Sequence, residues 1–335
     1  MGNTLEMYSL EPDLYALRPY KGDLHIHTNL SDGIECPEVT AANYRKQGYD
    51  FISITDHHVY KSSKVANEAY SGLKTNFVIY NGEEVHNDYI GQIHMVNFDS
   101  KWSVNDRILN DRENVLAEIA EIKNSPELES CFDKNDAACR IWTYKEIKKS
   151  GGLAIFPHPY RDICNSDHAS DSTVDYVFKN KLLDAFEVFG GCSSADNNLQ
   201  AALYNEMRAE GYSFPVVAST DSHSSLEHGV SMFGNAYTVA FAKDTFSVRE
   251  AIENGYTVGV QSEKGQLPNI IGKLRLARYV RFLIDNYFPI HDELCSVAGV
   301  MMRKYSLGDK NKAKLLCEAA EEYIKEFEKE FFNSL

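Results

Sequence analysis

Asp23-Leu24-His25-Ile26-His27-Thr28, closed by the turn Ser31-Asp32-Gly33, is the stretch on which the reading of this chain rests. Side chains on a strand alternate faces, so two histidines two positions apart point the same way. A carboxylate five positions later, in a Ser-Asp-Gly turn, can bend back toward that face. Imidazole nitrogen with carboxylate oxygen is a donor set for zinc, manganese or iron. Taken alone, the pair equally fits a strand with two hydrogen-bonded core histidines.

The same event recurs down the chain. Phe51-Ile52-Ser53-Ile54-Thr55 runs into Asp56-His57-His58, and Phe77-Val78-Ile79-Tyr80 runs into Asn81-Gly82-Glu83-Glu84. Gln92-Ile93-His94-Met95-Val96 carries a histidine within an apolar run. Leu153-Ala154-Ile155-Phe156-Pro157 ends on His158-Pro159, and Phe214 to Thr220 ends on Asp221-Ser222-His223. Short apolar runs of this composition, bounded by Gly or Pro, read as buried strands. Seven of the eleven histidines (25, 27, 57, 58, 94, 158 and 223) fall at or near such runs, mostly at their carboxyl ends. Scattered core histidines do not gather at strand ends, so the pattern points to a metal centre.

These residues resemble the PHP (polymerase and histidinol phosphatase) superfamily. The resemblance rests on His25-x-His27 with Asp32, Thr55-Asp56-His57, Gly82-x-Glu84, His94, His158-Pro159 and Asp221-x-His223, in the family's motif order. It spans roughly residues 18 to 262. It implies a distorted (β/α)7 TIM-like barrel with three divalent metal ions at the carboxyl ends of the strands. Carried over residue by residue, His25, His27, Glu84 and Asp221 hold one ion. Glu84 bridges to a second, completed by His94 and His158, while Asp32, His57 and His223 hold the third. Some family members have histidine where Asp32 stands, a change that bears on metal preference.

The periodicity agrees with an α/β fold. Adding Asp184 to Phe189 gives seven strand candidates, most separated by helix-like segments, which argues for a largely parallel sheet. In barrels of this type the active site forms at the carboxyl-terminal face. Pro37 to Gln47, followed by Gly48, carries the Pro-first, Gly-last signature of a helix. Thr143-x-x-Glu146 reads as a capping box opening a helix before Gly151-Gly152. Glu84 and Gln92 stand too close for an intervening helix, so a hairpin or short loop is expected there.

At 335 residues, one barrel over 1–262 with a helical extension over 263–335 fits better than two equal domains. Residues 99–142 read as an insert, helical over 113–122 and a polar loop over 124–140. In the extension, 273–284 and 312–332 have helical spacing; these helices pack on the barrel or form a homo-oligomer contact. No run of about 18 apolar residues is present and the start lacks an apolar signal sequence, so a cytoplasmic protein without membrane contact is expected. Seven cysteines without a C-x-x-C pair read as reduced thiols. His86 and His228 read as surface histidines. The net charge of −15 and the lack of a basic stripe before residue 263 argue against long nucleic acid as a partner. Three bound cations would still leave room for a small anionic, phosphorylated substrate.

The expected chemistry is that of a metal-dependent phosphoesterase acting on a small phosphorylated metabolite or nucleotide. A water between two divalent cations about 3.5–4 Å apart is acidified toward neutrality and supplies a metal-bound hydroxide. The same donor set also suits a carbamate or carboxylic ester hydrolase, or a non-enzymatic metal-binding regulatory protein. Asp56 reads as the orienting partner of a ligand histidine, or as a strand-end cap. Arg161 reads as a bidentate phosphate clamp, or as a surface ion pair. Glu187 lines the pocket or bonds a backbone group.

Overall fold

A computed structural model describes residues 8–86, 93–128, 133–161, 169–226, 232–263 and 265–333. Its first half contains β1 (Arg18–Asp23), α1 (Pro37–Lys46), β2 (Phe51–Ser53), α2 (Ser62–Tyr70), β3 (Val78–Tyr80), β4 (Gly82–His86), β5 (His94–Phe98), α3 (Val104–Asn110), α4 (Arg112–Lys123) and α5 (Lys134–Lys149). Then come β6 (Leu153–Phe156), α6 (Asp171–Lys179), β7 (Ala185–Phe189), α7 (Ser194–Ala209), β8 (Val216–Ala218), β9 (Ala236–Ala242), α8 (Val248–Glu253), β10 (Thr257–Gln261) and β11 (Asn269–Gly272). The chain finishes with α9 (Leu274–Asn286), α10 (Phe288–Ser306) and α11 (Lys312–Asn333).

The mixed α/β class is as expected, but the strands do not form a closed (β/α)7 ladder. Among the described residues they make two mixed sheets, ordered β11-β10-β9-β1-β2-β3 and β4-β5-β6-β7-β8. The β1–β2–β3 and β6–β7–β8 runs are parallel. Two reversals break the repeat. β5 runs antiparallel to both β4 and β6, while most of the hairpin or short loop expected between Glu84 and Gln92 lies outside the described residues. β9 returns antiparallel on β1, with β10 and β11 continuing outward from it. Among the described residues two isolated bridges, Ile26 with Ser222 and His57 with Glu84, add backbone pairing between the sheets beyond their regular strands.

Each sheet buries both faces. Between them lie Tyr20, Leu24, Phe51 and Tyr80 from the first sheet and Val96, Ile155, Ala185 and Val217 from the second. Outside the second sheet, residues such as Trp142, Phe178 and Leu203 of α5, α6 and α7 complete one core. Outside the first, Tyr44, Leu283, Met302 and Ile324 of α1, α9, α10 and α11 complete another. α10 approaches α1 backbone to backbone: a Cβ on Gly299 would lie 2.2 Å from the Lys46 nitrogen.

Local readings differ in three places. His25 and His27 follow β1 rather than lying on it, since the ladder stops at Asp23. The expected loop over 124–140 gives way at Asp133, whose carboxylate accepts from the Asn135 and Asp136 amides and caps α5. That helix forms because Ala137, Ala138, Ile141 and Trp142 give it a buried face, which leaves Thr143 in its interior rather than at a cap. The helices expected over 273–284 and 312–332 are α9 and α11, and α10 between them was not legible. No disulfide joins the described cysteines; Cys131, Cys164, His228 and the His86 side chain lie outside the described residues. No helix of the described residues is long and apolar enough to cross a membrane.

Candidate metal centre

The strand ends converge on Glu84. Its Oε2 lies 3.1 Å from His25 Nε2, 3.3 Å from His27 Nε2 and 3.2 Å from His57 Nδ1. Its Oε1 lies 2.6 Å from His94 Nδ1 and 3.5 Å from His158 Nε2. Asp221 Oδ1 stands 2.9 Å from His27 Nε2 and 3.4 Å from His25 Nε2. On the open side, Asp32 Oδ2 is 3.2 Å from His223 Nε2 and 3.8 Å from His57 Nε2. The nine residues fall into three overlapping groups: His25, His27, Glu84 and Asp221; Glu84, His94 and His158; and His27, Asp32, His57 and His223. The structure thus brings together all nine residues singled out in the sequence, with His27 reaching two groups rather than one. His94 opens β5 instead of ending it, and the reversed direction of that strand returns it to the same end of the sheet.

Local backbone explains how these residues meet. The Ser31-Asp32-Gly33 turn folds back because Gly33 donates to the Thr28 carbonyl at 2.9 Å; a Cβ there would lie 2.7 Å from the His27 backbone. His158 (φ 22°) and Asp221 (φ 46°) adopt left-handed backbone that non-glycine residues enter only under constraint. The strain falls on two residues of the convergent group, which is where a site holds its geometry against local preference.

Among the described residues, six buried atoms of this cluster have no hydrogen-bond partner: His25 Nε2, both ring nitrogens of His27, Glu84 Oε2, His158 Nε2 and Asp221 Oδ1. Leaving one such atom unsatisfied costs about 1–3 kcal/mol, so their concentration in one place calls for an agent that satisfies them together. Hard oxygen and borderline nitrogen donors at these separations fit divalent cations. Burial alone would raise the carboxyl groups. Instead Arg161, His25 and His27 hold Asp221 well below the usual carboxylate range, while His25, His94 and His57 do the same for Glu84. Burial alone would lower His27, yet Asp221 and Glu84 raise it to about 9. At His158 burial prevails and the imidazole is pushed down.

The three remaining expected residues take distinct places. Glu187 is fully buried behind the cluster, its Oε2 3.1 Å from His25 Nδ1. Among the described residues Asp56 bonds the turn: it accepts from the Thr28 amide at 2.6 Å and from the Thr28 and Ser31 hydroxyls at 2.5 Å. It therefore braces the turn that presents Asp32. Arg161 donates to Asp221 Oδ2 at the rim. Two further carboxylates were missed. Asp23 accepts from the His25 amide, the Thr220 amide and the Thr220 hydroxyl, tying two strand ends together; burial pushes its carboxyl up to about 7. Glu35 accepts from Ser224 and Ser225 and ties the Asp32 turn to the His223 loop. Asp23 shares the period-two face of His25 and His27, a signal that was available in the sequence.

No family model matches the chain. The DNA polymerase/3'-5' exonuclease PolX of Bacillus subtilis is 31% identical to it over 140 residues, which is 38% of this chain and 23% of that protein. The chain thus spans less than a quarter of that relative's length. Among solved structures, a two-domain protein of Bacteroides vulgatus, described as containing a predicted PHP-like metal-dependent phosphoesterase, superposes with a TM-score of 0.51. It is 19% identical, and the match covers 83% of this chain and 73% of that one, a likeness of fold.

Proposed function

By fold this chain belongs with the PHP-like proteins, and from that premise we propose that it is a metal-dependent hydrolase of small phosphate esters with three divalent cations at the Glu84 cluster. The observation that carries the reading is the set of six buried, unpartnered nitrogen and oxygen atoms converging on Glu84 and Asp221. His25, His27, Glu84 and Asp221 would hold one cation; Glu84, His94 and His158 a second; Asp32, His57 and His223 a third. Zinc, manganese and iron all suit these donors. When bound, such cations draw charge from phosphoryl oxygens and acidify water.

The chain's own groups supply orientation and charge. Glu187 fixes the ring of His25 through Nδ1, so that Nε2 faces the centre. A carboxylate behind a ligand histidine sets both its tautomer and its basicity. Asp56, through Thr28 and Ser31, keeps the turn bearing Asp32 in place. Arg161 presents a guanidinium beside Asp221, a group that suits a phosphate oxygen. With the fully buried His25 and Glu84 at its floor and the half-exposed Asp32 at its rim, the centre admits substrate from the Asp32 side.

Metal-loaded protein is to be assayed against phosphate monoesters and diesters, with carbamates and carboxylic esters run beside them. Turnover of a phosphate ester supports the proposal. Turnover confined to the carbonyl substrates, or none in either panel, overturns it.

Two predictions arise here. Glu187→Gln keeps the shape but removes the carboxylate behind His25, and is expected to weaken metal binding about 10–100-fold. Metal titration followed by elemental analysis checks this; unchanged affinity would refute the positioning role. The second concerns pH. His27, raised to about 9, holds a proton at neutral pH that a cation must displace. Apparent metal affinity should therefore rise with pH, roughly tenfold per unit for each proton released, and level off above about 9. Isothermal titration between pH 6 and pH 9 tests the slope, and a flat or falling profile contradicts it.

A further inference from the structure

A cavity of about 240 Å³ opens at the end of the strands opposite the Glu84 centre. Val216 and Thr257 begin β8 and β10 there, whereas Asp221 follows the other end of β8. Arg208 from the last turn of α7, Ser213, and Lys273 at the start of α9 complete its walls. We propose that this cavity binds the phosphate group of a small anion, held by Arg208, Lys273 and the Thr257 hydroxyl.

The floor of the cavity supplies one observation. Thr257 is 2% exposed, and among the described residues its Oγ1 has no hydrogen-bond partner. Thr257 shares a face of β10 with Gly259, where a Cβ would lie 2.8 Å from Val188 Cγ1 and 3.3 Å from Ala218 Cβ. That face looks onto the second sheet, so the hydroxyl points toward the start of β8. Val216, the first residue of β8, forms the adjoining wall. A buried hydroxyl without a partner is costly, and buried polar groups are normally satisfied.

The two cations supply a second, independent one. Arg208 lies over the Tyr204 ring, 5.6 Å from its centroid, and Lys273 Nζ reaches the Asn254 carbonyl at 3.5 Å. Among the described residues neither forms an ion pair with a carboxylate. Glu253 stands on the same rim, but its Oε1 is 3.2 Å from Arg249 Nε. Arg208 suits the negative end of its own helix, whereas Lys273 places its charge at the positive end of α9. No side chain caps that end, and its first turn holds no acidic residue. Gly255, at φ 65°, lets the lysine lie close, since a Cβ there would stand 3.1 Å from Nζ. A water would satisfy Thr257 and leave both charges uncompensated. A phosphate group answers all three, accepting charge-assisted bonds from Arg208 and Lys273 and a neutral one from Thr257.

Free phosphate and a phosphate monoester share this chemistry, and two probes separate them. The full chain, stripped with a chelator so that no cation contributes at the Glu84 centre, is to be titrated calorimetrically at constant ionic strength. Inorganic phosphate and glycerol phosphate are the probes. Saturation at one equivalent by either supports the site, and the tighter of the two identifies its source. Arg208→Gln and Lys273→Gln, both at exposed positions, should each weaken binding about tenfold or more. Thr257→Val keeps the shape without the hydroxyl and should also weaken it, with circular dichroism verifying the fold. Arg161→Gln, at the other end of the strands, should leave the affinity unchanged. No binding to the unmodified chain, or an unchanged affinity in any of the first three variants, overturns the proposal. So does a loss in Arg161→Gln, which would place the anion at the Glu84 end. None of these readouts depends on hydrolytic activity, so failure here and failure at the Glu84 centre are separable.

Discussion

Glu84→Gln is expected to cost two of the three cations proposed for this centre and to lower kcat/KM by about 10³-fold or more. Both oxygens of Glu84 are engaged, one facing His25, His27 and His57 and the other His94 and His158. An amide of the same shape offers one acceptor and no charge, so both groups that share this residue lose their bridge. Several kcal/mol of charge stabilisation disappear with it, and about 1.4 kcal/mol is a factor of ten in rate. Asp32→Asn is the control: half-exposed and confined to the outer group, it should release one ion at most. Elemental analysis of both variants, alongside steady-state kinetics and circular dichroism to verify folding, checks the contrast. Full metal content in Glu84→Gln would refute the bridging role, whatever the rate.

Arg45→Met is expected to destabilise the fold by about 3–5 kcal/mol, the range for removing one partner of a buried ion pair. The guanidinium is fully buried and bonds Asp50, the Tyr49 carbonyl and both oxygens of Glu321. Methionine matches its length, leaves Glu321 without its counter-charge and leaves Asp50 with His291 alone. The cost therefore comes mostly from what remains behind. Arg45→Met/Glu321→Leu should consequently recover a substantial part of the loss, because one orphaned carboxylate is gone and an apolar contact replaces it. Denaturant unfolding of the wild type, both single variants and the double variant measures the coupling. Simple additivity would show that the two residues do not act as a pair.

What the sequence made legible was local. Alternation placed His25 beside His27, and apolar runs ending in Asp56-His57, Pro157-His158 and Thr220-Asp221 marked strand ends that meet in space. What stayed hidden was set by long-range pairing. Ala236–Ala242 is as apolar and β-rich as any other strand here, but nothing local says that it returns antiparallel on β1 and breaks the barrel repeat. The start of α5 was obscured because Asp133, Lys134, Asn135 and Asp136 are polar, although their role is to cap. Glu187 and Asp56 illustrate the same limit at the site. Both were picked out as residues at strand ends, yet only their neighbours decide that one braces a ring and the other a turn. Asp50 and His291, some 240 positions apart in the chain, carried no joint signal at all.

β3 and β4 form one run of chain interrupted at Asn81, and at that residue the run passes from the first sheet to the second. The donors of the Glu84 cluster come from both sides of this seam: His25, His27, Asp32 and His57 follow strands of the first sheet, and the remaining five belong to the second. Along the seam, among the described residues, backbone pairing outside the regular strands is reduced to two isolated bridges. Cations held there would act as rivets across this seam, beside the Asp23–Thr220 and Thr238–Ala218 hydrogen bonds that already cross it. Their binding free energy would then count toward holding the two sheets together. Removing them should loosen the His57–Glu84 and Ile26–Ser222 bridges before either sheet loses its own ladder, which couples occupancy of the centre to the stability of the fold.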